Sequence, residues 1–272
     1  MNKKEMLRKT FGTDKPIIAL LHIDPLPGDV LYDYRGSMRE VVEHVRQDAA
    51  NLIEGGVDAI LFSNEFSMPY QNAVSQVTTS AMAYIIGRVR DMITVPFGVH
   101  VISDGAATIE LAAAVDASFV RGIFTGAYVG ECGIKETDIA AVLRRKKELR
   151  LDDLRVFYMV NAEADAYLND RPLKTIVNSL IFKCRPDGVA LSGLHAGEEA
   201  GDELLDEMTE AAGETAVFAN TGCTVDNVAE KLRHCDGAFV GTGFKVDGRF
   251  ENHTDPERVR RFMDIVKASR SC

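Results

Sequence analysis

Two turns near the end of the chain contain the small residues that phosphate-binding loops use. Residues 220–222, Asn-Thr-Gly, follow the apolar segment 216–219, and residues 241–243, Gly-Thr-Gly, follow the segment 236–240. A strand that ends in small residues leaves backbone N–H groups open to an anion. Either turn alone is more simply a chain reversal, but the pair at this spacing predicts a phosphate site. Its predicted residues are Asn220, Gly222, Cys223, Gly241, Thr242, Gly243 and Lys245.

Five histidine and acidic side chains at the ends of apolar segments are candidates for proton transfer. They are His22, Asp24, Glu65, His100 and Asp104. Imidazole and carboxylate groups transfer protons when their pKa lies near the working pH. The alternative role for each histidine is that of a core residue hydrogen-bonded to the backbone. For Glu65 the alternative is a salt bridge to a neighbouring strand. By the two-residue alternation of a strand, His100 and Asp104 are expected to face the same side.

Four more residues in or after the apolar segments are candidate ligand contacts: Arg121, Asn161, Ser192 and Gly193. A buried guanidinium is costly without a partner, so Arg121 is expected to bond a carboxylate or an anionic ligand, and the carboxylate is favoured. Lys245 is expected to be a phosphate counter-ion. For Cys223, packing as a small buried residue is the favoured alternative.

Eight apolar, strand-like segments alternate with helical patterns along the chain. They start near Pro16, Asp58, Pro96, Ser118, Arg155, Asp187, Thr215 and Asp236. Eight strands with seven intervening helices in about 250 residues are typical of one β/α barrel, whose active sites lie at the carboxyl ends of the strands. The sequence therefore predicts an α/β fold, a single-domain (β/α)8 TIM barrel over residues 16–272. Residues 1–15 are predicted to form a short helical extension packed outside or below the first strand.

The helix after the first strand has clear boundary signals. Ser37 followed by Glu40 is a capping box, and Gly55 with Gly56 ends the helix. Thr137 is predicted to cap the helix after the fourth strand. The glycine-containing residues that precede it, 126–133, predict a flexible loop at the rim of the barrel.

Composition excludes several classes of protein. The net charge is −10 and the pI about 5.2, so binding to nucleic acid through clustered cations is not expected. The five cysteines show neither CxxC pairs nor metal-ligand spacing, which predicts reduced thiols and a cytoplasmic protein. We expect no signal peptide, because the basic start lacks an apolar core. No membrane span is expected either, because no stretch reaches eighteen apolar residues.

The order of several short motifs resembles the BtpA family, which also includes the SgcQ-type proteins. These motifs are HIDPLPG after the first strand, EGGVDAIL into the second, TGA after the fourth, then NTGCTVDNVAEKL, GTGFKVDG and DPERVRRFM. The resemblance covers essentially the whole chain. It implies a TIM barrel of the ribulose-phosphate-binding superfamily, with phosphate at the turns of Gly193, Gly222 and Gly241 to Gly243. The family name comes from photosystem I biogenesis, whereas other members resemble enzymes of sugar or nucleoside breakdown.

Three functions stay open at this point. The favoured one is an enzyme that isomerises or cleaves a phosphorylated sugar or phosphoribosyl compound by proton transfer, without a cofactor or a metal. The second is a non-catalytic assembly factor. The third is a metal-dependent hydrolase using His22, Asp24, His100 and His195, although the HxH spacing common in such barrels is absent. A small phosphorylated molecule is the expected partner, and a homo-oligomer is left open.

Overall fold

Eight parallel strands close into a barrel in the computed structural model, which describes residues 1–33, 37–161, 165–193 and 199–270. The barrel strands are β1 (Ile17–His22), β2 (Ala59–Ser63), β3 (Phe97–His100), β4 (Phe119–Gly122), β7 (Arg155–Met159), β9 (Gly188–Leu191), β10 (Ala216–Ala219) and β11 (Gly237–Val240). Each pairs with its neighbour in chain order, and β1 pairs with β11 to close the ring. The predicted TIM barrel is confirmed, and each strand starts within one residue of its predicted start.

Helices cover the outside of this barrel. They are α2 (Met38–Gly55), α3 (Gln76–Val89), α4 (Gly105–Val115), α5 (Ile139–Glu148), α6 (Leu173–Cys184), α7 (Asp202–Ala212), α8 (Val228–His234) and α9 (Pro256–Arg270), and α1 (Lys3–Phe11) precedes the first strand. Single 3₁₀ turns occupy Arg90–Met92, Thr242–Phe244 and Val246–Gly248. Among the described helices, none is both long and apolar enough to pass through a lipid bilayer.

The N-terminal helix α1 contributes to the core inside the barrel. Met6, Leu7 and Phe11 are buried together with residues that point into the barrel, including Phe119 and Phe157. The Phe11 ring meets the Phe119 ring edge-on, with centroids 5.2 Å apart. Burial of apolar side chains against the strands explains why the predicted helical extension folds onto the barrel.

The predicted ends of α2 are confirmed, and the predicted cap of α5 is not. Ser37 is the N-cap of α2 with the capping box to Glu40, as predicted. The predicted cap of α5 was wrong by one residue, because Asp138 accepts the hydrogen bond from the Ala141 N–H. The Thr137 hydroxyl instead donates to the Gly126 carbonyl, 2.9 Å away. A carboxylate one residue further on supplies the better cap for the helix dipole.

The predicted flexible loop after the fourth barrel strand is a small antiparallel sheet. Strands β5 (Ala127–Gly130), β6 (Gly133–Glu136) and β8 (Ala166–Tyr167) form it, with β5 in the middle. The rings of Tyr128 and Tyr167 pack across it at 4.9 Å. Lys135 Nζ donates to Asp165 Oδ2 over 2.6 Å, and both side chains are largely buried. Cross-strand pairs of this kind stabilise a sheet, so the glycines here form turns of an ordered hairpin.

Candidate active site at the carboxyl end of the barrel

A cavity of about 820 Å³ lies at the carboxyl ends of the barrel strands. Leu20, Met159 and Phe239 reach it from the apolar barrel interior. Its lining includes proton-transfer candidates and residues of the predicted phosphate site. The predicted site residues that line it are His22, Glu65, His100, Arg121, Asn220, Gly222, Cys223, Gly241, Thr242 and Gly243.

The turns after β10 and β11 pack against each other at the cavity. A Cβ atom added to Gly243 would lie 2.7 Å from the Cys223 carbonyl oxygen. Gly222 has a φ of +73°, and an added Cβ there would lie 2.4 Å from Cα of Glu199. Both positions therefore need glycine, for close backbone approach and, at Gly222, for left-handed backbone.

Backbone donors in these two turns are open. Within the part of the chain that the structure describes, the N–H groups of Gly222, Cys223, Thr242 and Gly243 have no hydrogen-bond acceptor. Unpaired backbone donors at a protein cavity are satisfied by solvent or by a ligand. Successive N–H groups in such turns form concave sites for anions.

A cation that the sequence analysis did not single out lies beside these donors. Arg258, in the first turns of α9, lines the cavity, and its Nε donates to the Gly243 carbonyl over 3.4 Å. A guanidinium matches the geometry of a phosphate because it offers several donors in a plane. In the sequence, Arg258 belongs to the motif DPERVRRFM, which contributes to the family resemblance and does not by itself indicate a ligand contact.

Lys245, the predicted counter-ion, occupies a different place. It is buried, and Nζ donates to the Phe250 carbonyl oxygen while lying 4.8 Å from the centre of the Phe66 ring and 5.1 Å from that of the Phe250 ring. Lys245 is not one of the described residues that line the cavity. Burial lowers the pKa of Lys245 to about 8. It contributes positive charge from behind Phe250, and Arg258 takes the place next to the turns.

A continuous hydrogen-bonded network links four barrel strands. Asn161 and Ser192 exchange two bonds, Asn161 Nδ2 to the Ser192 carbonyl at 2.7 Å and the Ser192 N–H to Asn161 Oδ1 at 3.0 Å. Asn220 Nδ2 then donates to Ser192 Oγ, and Arg121 Nη1 donates to Asn220 Oδ1, at 2.9 and 2.8 Å. Asn161 and Ser192 thus support Asn220 and do not themselves line the described cavity. Gly193 is buried and does not line it either.

His100 completes the network and receives a defined tautomer from it. Arg121 Nη2 lies 3.2 Å from His100 Nδ1. Because a guanidinium only donates, Nδ1 accepts and the proton of the neutral ring is on Nε2. Burial, followed by the Arg121 charge, lowers the pKa of His100 well below its ordinary value. His100 is therefore a neutral hydrogen-bond donor in the cavity.

His22 and Glu65 form the second reactive group. Both ring nitrogens of His22 are buried and have no hydrogen-bond partner among the described residues, so it is not a core histidine bonded to backbone. Its Nε2 lies 3.9 Å from Glu65 Oε2, and Glu65 accepts from the Ser63 hydroxyl at 3.2 Å. Burial, with the charges of Lys245 and Arg121, lowers the pKa of His22 well below its ordinary value. A buried imidazole without partners is a position that a ligand can satisfy.

Two predicted catalytic residues, Asp104 and Asp24, do not line the described cavity. Asp104 is the N-cap of α4: its Oδ1 accepts from the Ala107 N–H at 2.9 Å and its Oδ2 from the Val74 N–H at 3.0 Å. Its predicted orientation beside His100 was wrong, because β3 ends at His100. Asp24 Oδ2 pairs with His44 Nδ1 at 2.6 Å, away from the cavity lining. His195 lies outside the described residues.

Comparison with known proteins agrees with this architecture. The family model described as the BtpA family matches residues 13–268. The chain belongs to the BtpA family. It is 40% identical over 260 residues to the putative sgc region protein SgcQ of Escherichia coli (strain K12), covering 96% of this chain and 97% of that one. It is 31% identical over 263 residues to the photosystem I biogenesis protein BtpA of Synechocystis, covering 96% and 91%.

The fold of this BtpA-family chain is shared with a solved structure of low sequence identity. That structure is (S)-3-O-geranylgeranylglyceryl phosphate synthase from Thermoplasma acidophilum in complex with its substrate sn-glycerol-1-phosphate. The TM-score is 0.61 at 14% identity, covering 98% of this chain and 99% of that chain.

Ser103 is a second cavity residue of this BtpA-family protein that sequence patterns do not reveal. Its φ is +64°, in the left-handed region that a non-glycine residue seldom adopts. Its hydroxyl oxygen is buried without a partner among the described residues, and the residue lines the cavity. Strained backbone of this kind concentrates at ligand sites. No local sequence signal marks it, because serine in a turn is ordinary.

Proposed function

We propose that this protein is an enzyme that isomerises or cleaves a phosphorylated sugar or phosphoribosyl compound by acid/base proton transfer. The observation that carries the proposal is one cavity that combines open backbone donors and Arg258 with a neutral His100 and an unpartnered His22 next to Glu65. The first set is suited to a phosphate dianion. The second set is suited to a carbonyl group and the acidic carbon beside it.

In this mechanism, the phosphate binds to the N–H groups of Gly222, Cys223, Thr242 and Gly243 and to Arg258. Binding energy from this remote group orients the reacting carbons. The Glu65 carboxylate, adjacent to His22, accepts the proton from the carbon next to the substrate carbonyl. His100 donates its Nε2–H to the oxygen on which negative charge develops. Return of that proton to the former carbonyl carbon, with transfer of the neighbouring hydroxyl proton to the former carbonyl oxygen, completes an isomerisation. In a lyase reaction, Glu65 instead takes the proton of the hydroxyl group β to the carbonyl. The C–C bond between the carbons α and β to the carbonyl then breaks, and its electron pair forms the enolate whose oxygen accepts a hydrogen bond from His100.

Two observations bear on the alternatives. The relative named for photosystem I biogenesis favours a non-catalytic assembly factor, but an assembly role gives no reason for a buried His22 without partners. The positions of His22, Asp24 and His100 do not support a hydrolase in which these residues bind one metal. Arg121 occupies Nδ1 of His100, and Asp24 pairs with His44 outside the cavity lining. The solved barrel with sn-glycerol-1-phosphate supports a phosphorylated ligand in this fold.

Thermal-shift measurements with matched ligands test the proposal. We expect pentose and hexose phosphates to raise the Tm more than the same sugars without phosphate, since only the former occupy the anion donors. Arg258→Ala should abolish that difference. Arg260→Ala is the matched control, because Arg260 is on the same helix and pairs with Glu54 and Glu257 at the surface. Equal shifts for both ligand sets, or an unaltered response of Arg258→Ala, would contradict a phosphate site here.

A further inference from the structure

Three side chains from distant parts of the chain meet at the outer rim of the barrel. Asp24 follows β1, His44 is on α2, and His253 lies between β11 and α9. One ligand atom from each lies within 4.8 Å of the others. His44 Nδ1 is 2.6 Å from Asp24 Oδ2, and the His44 and His253 rings are 4.7 Å apart between centroids. Both histidines are half-exposed, so solutes reach them.

A buried carboxylate orients one of these histidines. Asp48 Oδ2 lies 3.3 Å from His253 Nδ1, and Asp48 is itself buried. Its Oδ1 accepts from the Thr254 N–H at 2.9 Å and from the Thr254 hydroxyl at 2.8 Å. Because Asp48 occupies Nδ1, His253 presents Nε2 on its other side. A carboxylate bonded to the far nitrogen of an imidazole is the usual outer partner of a metal-binding histidine.

From this arrangement, we propose a binding site for a first-row divalent transition metal, formed by Asp24, His44 and His253. Two imidazoles and one carboxylate are the donors that Zn²⁺ and related ions bind with an open coordination position. At a metal–ligand distance of about 2.1 Å, closing the cluster requires only small rotations of half-exposed side chains. This proposal differs from the sequence-based expectation of no metal. Sequence spacing could not indicate the site, because its three ligands lie on separate segments of the chain.

The site has a structural consequence for the cavity beside it. His253 is three residues after Phe250, and Asp24 is two residues after His22; Phe250 and His22 both line the cavity and their rings are 5.5 Å apart. A metal bound at Asp24, His44 and His253 joins the segment after β1, helix α2 and the segment after β11. It therefore holds Phe250 in place over His22 without entering the cavity. The site does not depend on the proposed reaction.

Co²⁺ and Zn²⁺ binding to the full chain tests the inference. The chain is treated with chelator, and Cys132, an exposed thiol, is replaced by serine in every variant so that it cannot bind metal. We expect a single Co²⁺ with visible ligand-field absorption, displaced by Zn²⁺, and a Zn²⁺-dependent rise in Tm. His44→Ala and His253→Ala should each abolish the absorption. Asp48→Asn should weaken affinity by about 10- to 100-fold, as loss of an outer partner does.

His234→Ala is the matched control, since His234 is also bonded to two carboxylates, of Asp206 and Glu230, on the surface. It should bind Co²⁺ like the parent chain. Circular dichroism of each variant checks that it folds, and we expect His44 and His253 to tolerate replacement because they are half-exposed. The inference is overturned if the parent chain gives no Co²⁺ absorption. It is equally overturned if that absorption survives both His44→Ala and His253→Ala.

Discussion

Arg121 Nη2 lies 3.2 Å from Nδ1 of His100, and both side chains are buried in the barrel mouth. This contact decides the chemistry of the histidine, because the guanidinium has no acceptor atom. Nδ1 must carry the lone pair, and Nε2 carries the proton. On the other side, Arg121 Nη1 donates to Asn220 Oδ1, and Asn220 Nδ2 in turn donates to Ser192 Oγ. The strands β3, β4, β9 and β10 therefore fix one ring in one protonation state.

The tautomer of His100 can be measured directly. We expect ¹⁵N chemical shifts of labelled protein to show a protonated Nε2 and an unprotonated Nδ1 at neutral pH. Arg121→Met should remove this preference, since it removes the donor to Nδ1 and leaves similar apolar bulk. His44→Ala serves to assign the spectrum and should leave the His100 signals in place. A doubly protonated His100 at neutral pH would contradict the assignment.

Acid should destabilise the fold through His100. Burial and the neighbouring Arg121 lower its pKa in the folded protein, so below about pH 6.5 the unfolded chain binds a proton that the folded chain does not. The contribution of His100 to stability is therefore complete above pH 6.5. It falls as the pH decreases from there toward the folded pKa, by up to about 1.4 kcal/mol per pH unit.

Urea unfolding of the parent and His100→Gln between pH 5 and 7.5 measures this contribution. Glutamine does not titrate, so its free energy of unfolding should depend less steeply on pH below about 6.5. Identical slopes in the two proteins would show that His100 does not resist protonation. The comparison cancels the contribution of other histidines, since they are present in both proteins.

Local sequence patterns predict the barrel, but they predict only part of the candidate site. Strands covered on both sides are nearly continuous apolar segments, so all eight could be located. The two glycine turns could be located because Gly222 and Gly243 lie three residues after the ends of β10 and β11. Arg258 and His44 lie on helices and contact residues far away in sequence. Only the closure of the barrel brings them to the rim, and no short-range pattern contains that information.

Asp104 illustrates a second limit of sequence patterns. The alternation of a strand predicted that it shares a face with His100, but β3 ends at His100. Ser103, with φ of +64°, then turns the chain in the left-handed region. The alternation stops there, and Asp104 caps α4 instead. A pattern with period two holds only while the ladder continues.

Asp104 should therefore contribute to stability and not to ligand binding. We expect Asp104→Ala to lower the free energy of unfolding by about 1–2 kcal/mol, since it removes the cap of α4 and the acceptor of the Val74 N–H. The Tm increase produced by phosphorylated ligands should persist. Glu65→Gln provides the contrast, with little change in stability and loss of turnover. Loss of ligand response in Asp104→Ala, at full stability, would restore a direct role for this carboxylate.

Gly243 gives the sharpest test of the phosphate turns. In Gly243→Ala the added methyl group would lie 2.7 Å from the Cys223 carbonyl oxygen, so the turns after β10 and β11 must move apart. We expect the affinity for a phosphorylated ligand to fall by at least about 10-fold, the equivalent of one hydrogen bond to a charged group. Gly87→Ala is the control, because Gly87 is on α3 and an added Cβ meets no atom within 4 Å. Calorimetric titration of both variants measures the change, and unaltered affinity in Gly243→Ala would place the anion elsewhere.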